Sequence, residues 1–211
     1  MLLSSFLVQM TVLVQAQEYQ VGVEEGDLLV WKLNSFEEDL AQEVLGESDI
    51  KEILGKDAKV GYFYAHRVEQ VKISEELYSH EDGKDCSGWE IIYDYYDWTE
   101  DQDDFEEEKP GSFTRTLRKD PRDWGSNWDR VGWVYPVPVE SYLSDMDWND
   151  QFLIEGKKIS IELEHKGTGQ SYVRVWTYND AGVRSSSKLT AGDGKVIYEI
   201  SLTSRGINGI S

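Results

Sequence analysis

Four short alternating segments in the last third of the chain constrain the fold more than any other feature. They are KKISIELEHKG (157–167), SYVRVWTYND (171–180), GVRSSSKLTAG (182–192) and KVIYEISL (195–202). Short runs rich in β-branched and aromatic residues, separated by Gly, Asn and Asp, are typical of strands joined by tight turns. NDAG and AGDG suit hairpin turns, because Asn, Asp and Gly tolerate the positive φ that such turns require. The pattern predicts an antiparallel meander.

The rest of the chain predicts more strands and a few short helices. Alternation predicts strands over 27–35, 59–74, 88–98 and 111–120. Ser35 followed by Glu38 matches a capping box, which predicts helical turns from there to Gly55. A further apolar stripe predicts a helix over 139–152. We therefore expect a β-dominated α+β domain over 17–211, with one curved antiparallel sheet (a meander or half-barrel) and two or so short helices packed on it.

Two segments carry a resemblance to known proteins. VGVEEGDLLVWKL (21–33) and VRVWTYNDAGVRSSSKLTAGDGKVIYEISL (173–202) resemble segments of uncharacterised secreted archaeal envelope proteins. The second is also similar to the half-barrel of bacterial lipoprotein-carrier proteins, in which Y-D-x-x-G turns join adjacent strands. Tyr178, Asp180 and Gly182 correspond to that turn, and Arg184 stands where the usual leucine would be. The resemblance implies an exported protein with a half-barrel sheet, and no residue-level function.

Charge and cysteine content exclude several classes of function. The formal net charge is −20 and the pI is about 4.4. A field of this sign repels phosphate backbones, and no basic groove or nucleic-acid motif is present, so we expect no nucleic-acid partner. Cys86 is the only cysteine, which excludes an intramolecular disulfide and a Cys-based metal cluster. We expect a monomer.

The N-terminal residues predict export. Residues 1–16 are uncharged and include the apolar run LLSSFLVQMTVLV. The run is shorter than the roughly 20 residues that span a bilayer as a helix, and small and polar residues follow it. This is typical of a signal peptide cleaved after Ala16, although the usual positive segment before the apolar run is missing. The alternative is a buried N-terminal strand or helix. Because no second apolar run follows, we expect the mature chain to have no transmembrane segment. We expect the protein at the cell surface or outside the cell.

The acidic loop at about 99–111 is a candidate cation site. Nine carboxylates lie between Asp94 and Glu108 without a basic residue. Asp101, Asp103 and Asp104 have nearly the density of oxygen ligands that a calcium loop needs, but the central glycine is absent. The alternative is a solvated loop that its charge keeps polar. Apart from weak calcium binding at these three residues, we expect no cofactor.

Aromatic residues are the candidate ligand-binding side chains. The tryptophans of segment 124–133 lie among polar residues and could grip a glycan or a peptide, or could close one end of the sheet as core. A hollow concave face lined by aromatic strand residues could instead hold a lipid-like molecule, and a filled core fits the same pattern. The candidate ligand-binding residues are Trp31, Trp89, Tyr93, Trp124, Trp128 and Trp133.

Catalytic motifs are absent from the sequence. There is no HExxH, GxSxG, P-loop or dinucleotide-binding glycine motif, and His66, His80 and His165 are scattered. We therefore expect an exported non-catalytic module with a binding or envelope-structural role. A carrier of an apolar ligand in a half-barrel cavity is the second hypothesis. A hydrolase with an unrecognised carboxylate pair is the third.

Overall fold

The computed structural model describes residues 18–55, 57–78, 85–106, 110–124, 131–165 and 167–207. Within these ranges the strands are β1 Gln20–Val21, β2 Asp27–Phe36, β3 Phe63–Tyr78, β4 Asp85–Thr99, β5 Gly111–Arg118, β6 Pro136–Val137, β7 Phe152–Glu155, β8 Lys158–Glu164, β9 Ser171–Tyr178, β10 Arg184–Ala191 and β11 Val196–Ile207. The helices of the same ranges are α1 Glu38–Val44, α2 Glu47–Leu54 and α3 Val139–Asp145, with 3₁₀ helices at Gln102–Glu106 and Pro121–Trp124.

Nine of the strands form one antiparallel sheet. Its order is β5-β4-β3-β2-β11-β10-β9-β8-β7, and β1 pairs separately with β6. From the centre of the sheet, β2 to β5 run outward along the chain. The chain then passes to the opposite edge, and β7 to β11 return inward until β11 pairs with β2. The predicted β-dominated α+β class, with one antiparallel sheet and short helices, is confirmed.

The sheet is curved. Residues of β4 and of β8 line one common cavity, although these strands are six positions apart in the sheet order. Neighbouring strands lie about 4.8 Å apart, so a flat sheet would separate β4 from β8 by about 29 Å. The sheet therefore bends toward the cavity. Within the described ranges the two edge strands do not pair with each other, so the sheet stays open.

Alternation in β2 sets the two faces of the sheet. Leu29, Trp31 and Leu33 are fully buried on the concave face, in the main hydrophobic core. The residue between the first two, Val30, points to the opposite face because successive strand side chains alternate. There it belongs to a small convex-face cluster, which consists of Val30, Ala65, Tyr96 and Phe105.

The connection from β5 to β7 covers part of the concave face. Its described residues, 119–124 and 131–151, are called the crossing connection here. Tyr135, Tyr142 and Leu143 of this connection are fully buried, and the Tyr142 hydroxyl donates to the carbonyl oxygen of Arg118 at 2.6 Å. Gly182, in the β9–β10 turn, has φ +77 and approaches the carbonyl oxygen of Tyr135 so closely that a Cβ would clash. Only glycine fits this position without a shift of the backbone.

Two predicted features of the helices are wrong. β2 continues to Phe36 and α1 begins at Glu38 after an N-cap at Glu37, so Ser35 is in the strand and no side chain caps the helix. The predicted helix over 139–152 ends at Asp145, because Met146 is already extended with φ −72 and ψ 142. Its last predicted residue begins β7, a strand that the sequence pattern did not indicate. The residues that end α2 were predicted correctly, since Leu54 is its last residue and Gly55 follows with φ +85.

The basic side chains of β5 do not lie directly opposite acidic residues of β4. The register places Arg115 opposite Ile91, and Asp94 opposite Ser112. The Arg115 guanidinium instead lies 5.8 Å from the ring centroid of Trp124, in the crossing connection.

In the described part of the chain, no helix has both the length and the hydrophobicity that a bilayer crossing requires.

Candidate functional site: a cavity on the concave face

A cavity of about 600 Å³ lies between the end of α2 and the concave face of the sheet. Aromatic side chains form much of its wall: Tyr64, Tyr95, Trp98, Trp133, Tyr172 and Trp176. Aliphatic side chains complete the apolar part: Ile53, Leu54, Val131, Leu163 and Ile200. The charged residues of the lining are Asp97, Arg174 and Arg184. The wall thus combines an apolar surface with a few charged groups, as small-molecule sites commonly do.

A β-bulge in β4 brings extra aromatic residues to the cavity. Phe63 pairs with Thr99 and Ala65 pairs with Tyr96. A step of two residues along β3 therefore corresponds to a step of three residues along β4, which contains one extra residue here. Such a bulge shifts the alternation of side chains. Tyr95 and Trp98, which strict alternation would place on opposite faces, therefore both line the cavity.

Trp98 also ties α2 to the sheet. Its indole N–H donates to the carbonyl oxygen of Leu54, the last residue of α2, at 2.6 Å. Leu54 and its neighbour Ile53 line the cavity. The hydrogen bond therefore holds the helical side of the cavity against the strand side.

An aromatic cluster lies beneath the cavity, with the Trp133 ring at its centre. Ring centroids of Trp133 and Trp31 are 4.6 Å apart, those of Trp133 and His66 are 5.0 Å apart, and those of Trp133 and Tyr64 are 5.7 Å apart. Trp31 is fully buried, and its indole N–H donates to the carbonyl oxygen of Arg184 at 2.7 Å. Trp133 itself lines the cavity, so the cluster connects the core to the cavity wall.

His66 is fully buried in this cluster and neutral at physiological pH. Burial, with a smaller contribution from the positive charge of Arg184, lowers the pKa of His66 to about 3. Its Nε2 lies 2.6 Å from the hydroxyl of Tyr64, whose pKa is raised chiefly by burial. Among the described residues, Nδ1 of His66 has no hydrogen-bond partner. Desolvation of a charged imidazolium would be costly here, so the ring remains uncharged.

Arg184 places a buried positive charge at the cavity. Its side chain is buried and donates from one terminal nitrogen to the carbonyl oxygens of Val131, at 3.2 Å, and Gly132, at 2.7 Å. The guanidinium carbon lies 4.1 Å from the ring centroid of Trp133, a cation–π distance. Its Nε has no hydrogen-bond partner in the described structure. Burial is the main reason that the pKa of Arg184 lies below its ordinary value.

Arg174 is a second positive charge on the same wall. It belongs to β9 between the cavity residues Tyr172 and Trp176, and its guanidinium carbon lies 4.8 Å from the Trp176 ring centroid. Its Nε is buried and likewise has no partner among the described residues. Within that part of the chain, none of the ion pairs includes Arg174 or Arg184.

The six aromatic residues predicted as ligand contacts occupy different places. Trp133 lines the cavity. Trp31, Trp89 and Tyr93 are buried in the main core and are not among the lining residues. Trp124 is half-buried outside the lining, and its indole N–H donates to the hydroxyl of Tyr142 at 2.5 Å. The sixth, Trp128, lies outside the described residues, as does the predicted signal peptide 1–16. A ligand role for each of them stays a prediction.

The acidic loop contains a 3₁₀ helix anchored by Phe105. This side chain is buried in the convex-face cluster, and Asp101, Asp103 and Asp104 beside it are exposed. Asp101 accepts from the backbone N–H of Asp103 at 3.1 Å, and Asp104 accepts from the hydroxyl of Thr99 at 2.6 Å. Within the described residues, no group of three or more His, Cys, Asp or Glu side chains is placed to hold a metal ion. Calcium binding by Asp101, Asp103 and Asp104 stays a prediction.

Arg174, Arg184 and Trp98 are among the cavity residues that the sequence did not single out. A local signal was present for Arg174, because it is in phase with Tyr172 and Trp176 in an otherwise apolar alternation. Arg184 differs from the leucine of the carrier-like pattern, which was a second signal. Trp98 was missed because the bulge that turns it toward the cavity depends on the pairing of β4 with β3.

No protein-family model matches the chain, and no curated protein matches it. One similar solved structure is the crystal structure of a Bacteroides fragilis protein inferred to be exported, which has a YmcC-like fold. It is 12% identical, and the match covers 90% of this chain and 100% of that one with a TM-score of 0.39. A similarity of this degree supports no statement about function. The resemblance to archaeal envelope proteins and to lipoprotein carriers stays a prediction.

Proposed function

We propose that the protein is an exported, non-catalytic binding module that holds a small, largely apolar ligand in the concave cavity. The cavity itself carries this proposal. Its volume of about 600 Å³ falls within the range of roughly 300 to 1,000 Å³ that is usual for small-molecule sites. Protein cores pack densely and leave few voids larger than a water molecule, so a space of this size is unlike a filled core.

The nature of the wall favours binding over a purely envelope-structural role. Six aromatic and five aliphatic residues line the space, and Tyr64, Tyr95 and Tyr172 add hydroxyl groups. Such a wall would bury the apolar body of a ligand while the hydroxyls orient its polar part. The apolar run within residues 1–16 supports export.

The arrangement of titratable groups supports a non-catalytic role. Hydrolysis by a carboxylate pair needs two carboxyl groups roughly 5 to 9.5 Å apart at the site. Among the described lining residues Asp97 is the one carboxylate. His66 is buried beneath the wall with its pKa lowered to about 3, so it would be a poor general base near neutral pH.

A neutral fluorescent probe tests the proposal. We expect 1-N-phenylnaphthylamine to bind the full chain with enhanced emission. We also expect native mass spectrometry of protein from its native host to show an additional apolar molecule, and this molecule should compete with the probe. Leu163→Trp should weaken probe binding at least tenfold, because the larger side chain fills the cavity that Leu163 lines. The matched control is Leu153→Trp, at a position of β7 that is 58% exposed, and it should leave binding unchanged.

The contrary outcome is equally clear. If the probe gives no saturable signal and the native protein carries no additional mass, the ligand-binding function is wrong and the envelope-structural hypothesis gains. If Leu163→Trp and Leu153→Trp weaken probe binding equally, the probe binds elsewhere on the protein.

A further inference from the structure

The charges at the cavity oppose the charge of the whole protein. The chain carries a formal net charge of −20, yet the charged residues in the described part of the lining are two arginines and one aspartate. Asp97 is exposed, whereas Arg184 is 5% exposed and Arg174 is half-buried. The most desolvated charges at the cavity are therefore positive.

Among the described residues, the guanidinium of Arg184 is hydrogen-bonded but is not paired with a carboxylate. Its partners at Val131 and Gly132 are carbonyl oxygens, which carry no formal charge. A buried cation is normally paired with an anion, because removal from water costs several kcal/mol per ion. In the described part of the chain no carboxylate lies within ion-pair distance of Arg184, and its Nε has no partner.

Arg174 adds a second cation that interacts unfavourably with the first. Burial is the largest cause of the lowered pKa of Arg184, and the positive charge of Arg174 lowers it further. Tyr178 partly offsets this lowering. An anion bound near both guanidinium groups would relieve this repulsion. Arginine is suited to the task, because its planar fork of donors matches the geometry of carboxylate and phosphate oxygens.

We infer that the ligand is an amphiphile with a single anionic head, a carboxylate or a phosphate, which Arg174 and Arg184 bind while its apolar body lies against the aromatic wall. The inference rests on the proposed ligand-binding function and specifies the chemistry of the ligand. The cation–π contacts of Arg174 with Trp176 and of Arg184 with Trp133 hold both guanidinium groups beside the apolar surface. Head and body would thus be recognised by adjoining parts of one wall.

The test compares four probes with the same chain length but different heads. Dodecanoate, dodecyl phosphate, dodecanol and dodecyltrimethylammonium are titrated into the full chain below their micelle concentrations. Binding is followed by calorimetry and by the total tryptophan emission, to which the cavity residues Trp98, Trp133 and Trp176 contribute. We expect at least one of the two anions to bind at least tenfold more tightly than dodecanol, a difference of about 1.4 kcal/mol. The cation should bind most weakly, and the tighter of the two anions identifies the head group.

Variants locate the preference. Arg174→Gln should remove most of the tenfold preference for the anion over dodecanol, because glutamine keeps a hydrogen-bond donor but loses the positive charge. Arg184→Gln should do the same where it folds, and Arg174→Gln alone suffices if it does not. Arg67→Gln is the matched control, because Arg67 lies over Tyr96 of the convex-face cluster. It should alter neither affinity.

The outcomes separate this inference from the function on which it rests. If dodecanol binds and neither anion binds more tightly, the cavity binds ligands but the anionic head is wrong. The same conclusion follows if Arg174→Gln weakens dodecanol and the anions equally. If none of the four probes binds, both the inference and the proposed function fail.

Discussion

Buried His66 predicts a specific dependence of stability on pH. In the folded protein its pKa is about 3, because burial and the charge of Arg184 disfavour the imidazolium. In the unfolded chain the pKa of a histidine is about 6.5. Below pH 6.5 the unfolded state therefore binds a proton that the folded state does not. Since stability falls wherever the unfolded state binds more protons, His66 destabilises the fold as the pH drops from about 6.5 toward about 3.

The magnitude follows from the two pKa values. At pH 5 the unfolded chain gains RT ln(1 + 10^1.5), about 2 kcal/mol, whereas the folded chain with a pKa of about 3 gains almost nothing. Near pH 7.5 the same contribution is about 0.1 kcal/mol or less. The protein should therefore lose about 2 kcal/mol of unfolding free energy through His66 alone between pH 7.5 and pH 5.

Urea denaturation of the wild type and of His66→Phe at both pH values measures this loss. Phenylalanine suits the surrounding rings of Trp31, Tyr93 and Phe113, and it does not titrate. The variant lacks the hydrogen bond between residue 66 and Tyr64, and this lowers its stability equally at both pH values. The titration of the many carboxylates is common to both proteins, so the difference between their pH dependences isolates His66. His66→Gln, which retains a polar group near Tyr64, serves as a second variant.

Two results would refute the reasoning. One is an identical pH dependence in the wild type and both variants. The other is an NMR titration in which the His66 Cε1–H resonance of the folded protein moves with a midpoint near 6.5. Either would mean that the imidazole is solvated, and that the aromatic cluster beneath the cavity is looser than its centroid distances indicate.

Three further substitutions test contacts away from the cavity. Asp27 is buried and accepts from Arg205 at 2.6 Å and from the backbone N–H of Glu24 at 2.9 Å, so Asp27→Asn should lower the free energy of unfolding by about 1 to 3 kcal/mol in urea denaturation. Glu47→Gln, which breaks the exposed pair with Lys51, should leave the free energy of unfolding nearly unchanged in the same measurement, and equal losses in the two variants would contradict the role of burial. Phe105→Ala should cost about 3 kcal/mol in thermal or urea unfolding, because it empties the convex-face cluster, and a loss below about 1 kcal/mol would mean that the acidic loop packs only loosely.

Features with local causes could be predicted from the sequence. The meander β8 to β11 follows from period-two alternation and from Gly, Asn and Asp in its turns, and both signals act over a few residues. The end of α2 follows from Gly55 for the same reason. The start of α1 could not be predicted, because pairing with β11 extends β2 through Ser35 to Phe36 and overrides the capping pattern.

The cavity could be predicted only in part. Trp133 was a candidate because of its aromatic neighbours in the sequence, but its position on the wall depends on where the crossing connection meets the sheet. The same long-range packing decides that Trp31 and Tyr93 lie in the core and not in the lining. Arg184 is placed by hydrogen bonds to residues more than 50 positions away, at Val131 and Gly132. Local periodicity carries no information about such contacts.

The sheet order also bears on how fast the protein can fold. β2 to β5 pair only with neighbours along the chain, and so do β7 to β11, so each half can form through short-range hairpins. The two halves join at β2 and β11, where Trp31 pairs with Leu202. A pairing between residues so distant in sequence closes a very long loop before its contacts stabilise it, which slows folding. We therefore expect the two half-sheets to form first and closure of the β2–β11 seam to be the slow step, so that destabilising substitutions at the seam should slow folding.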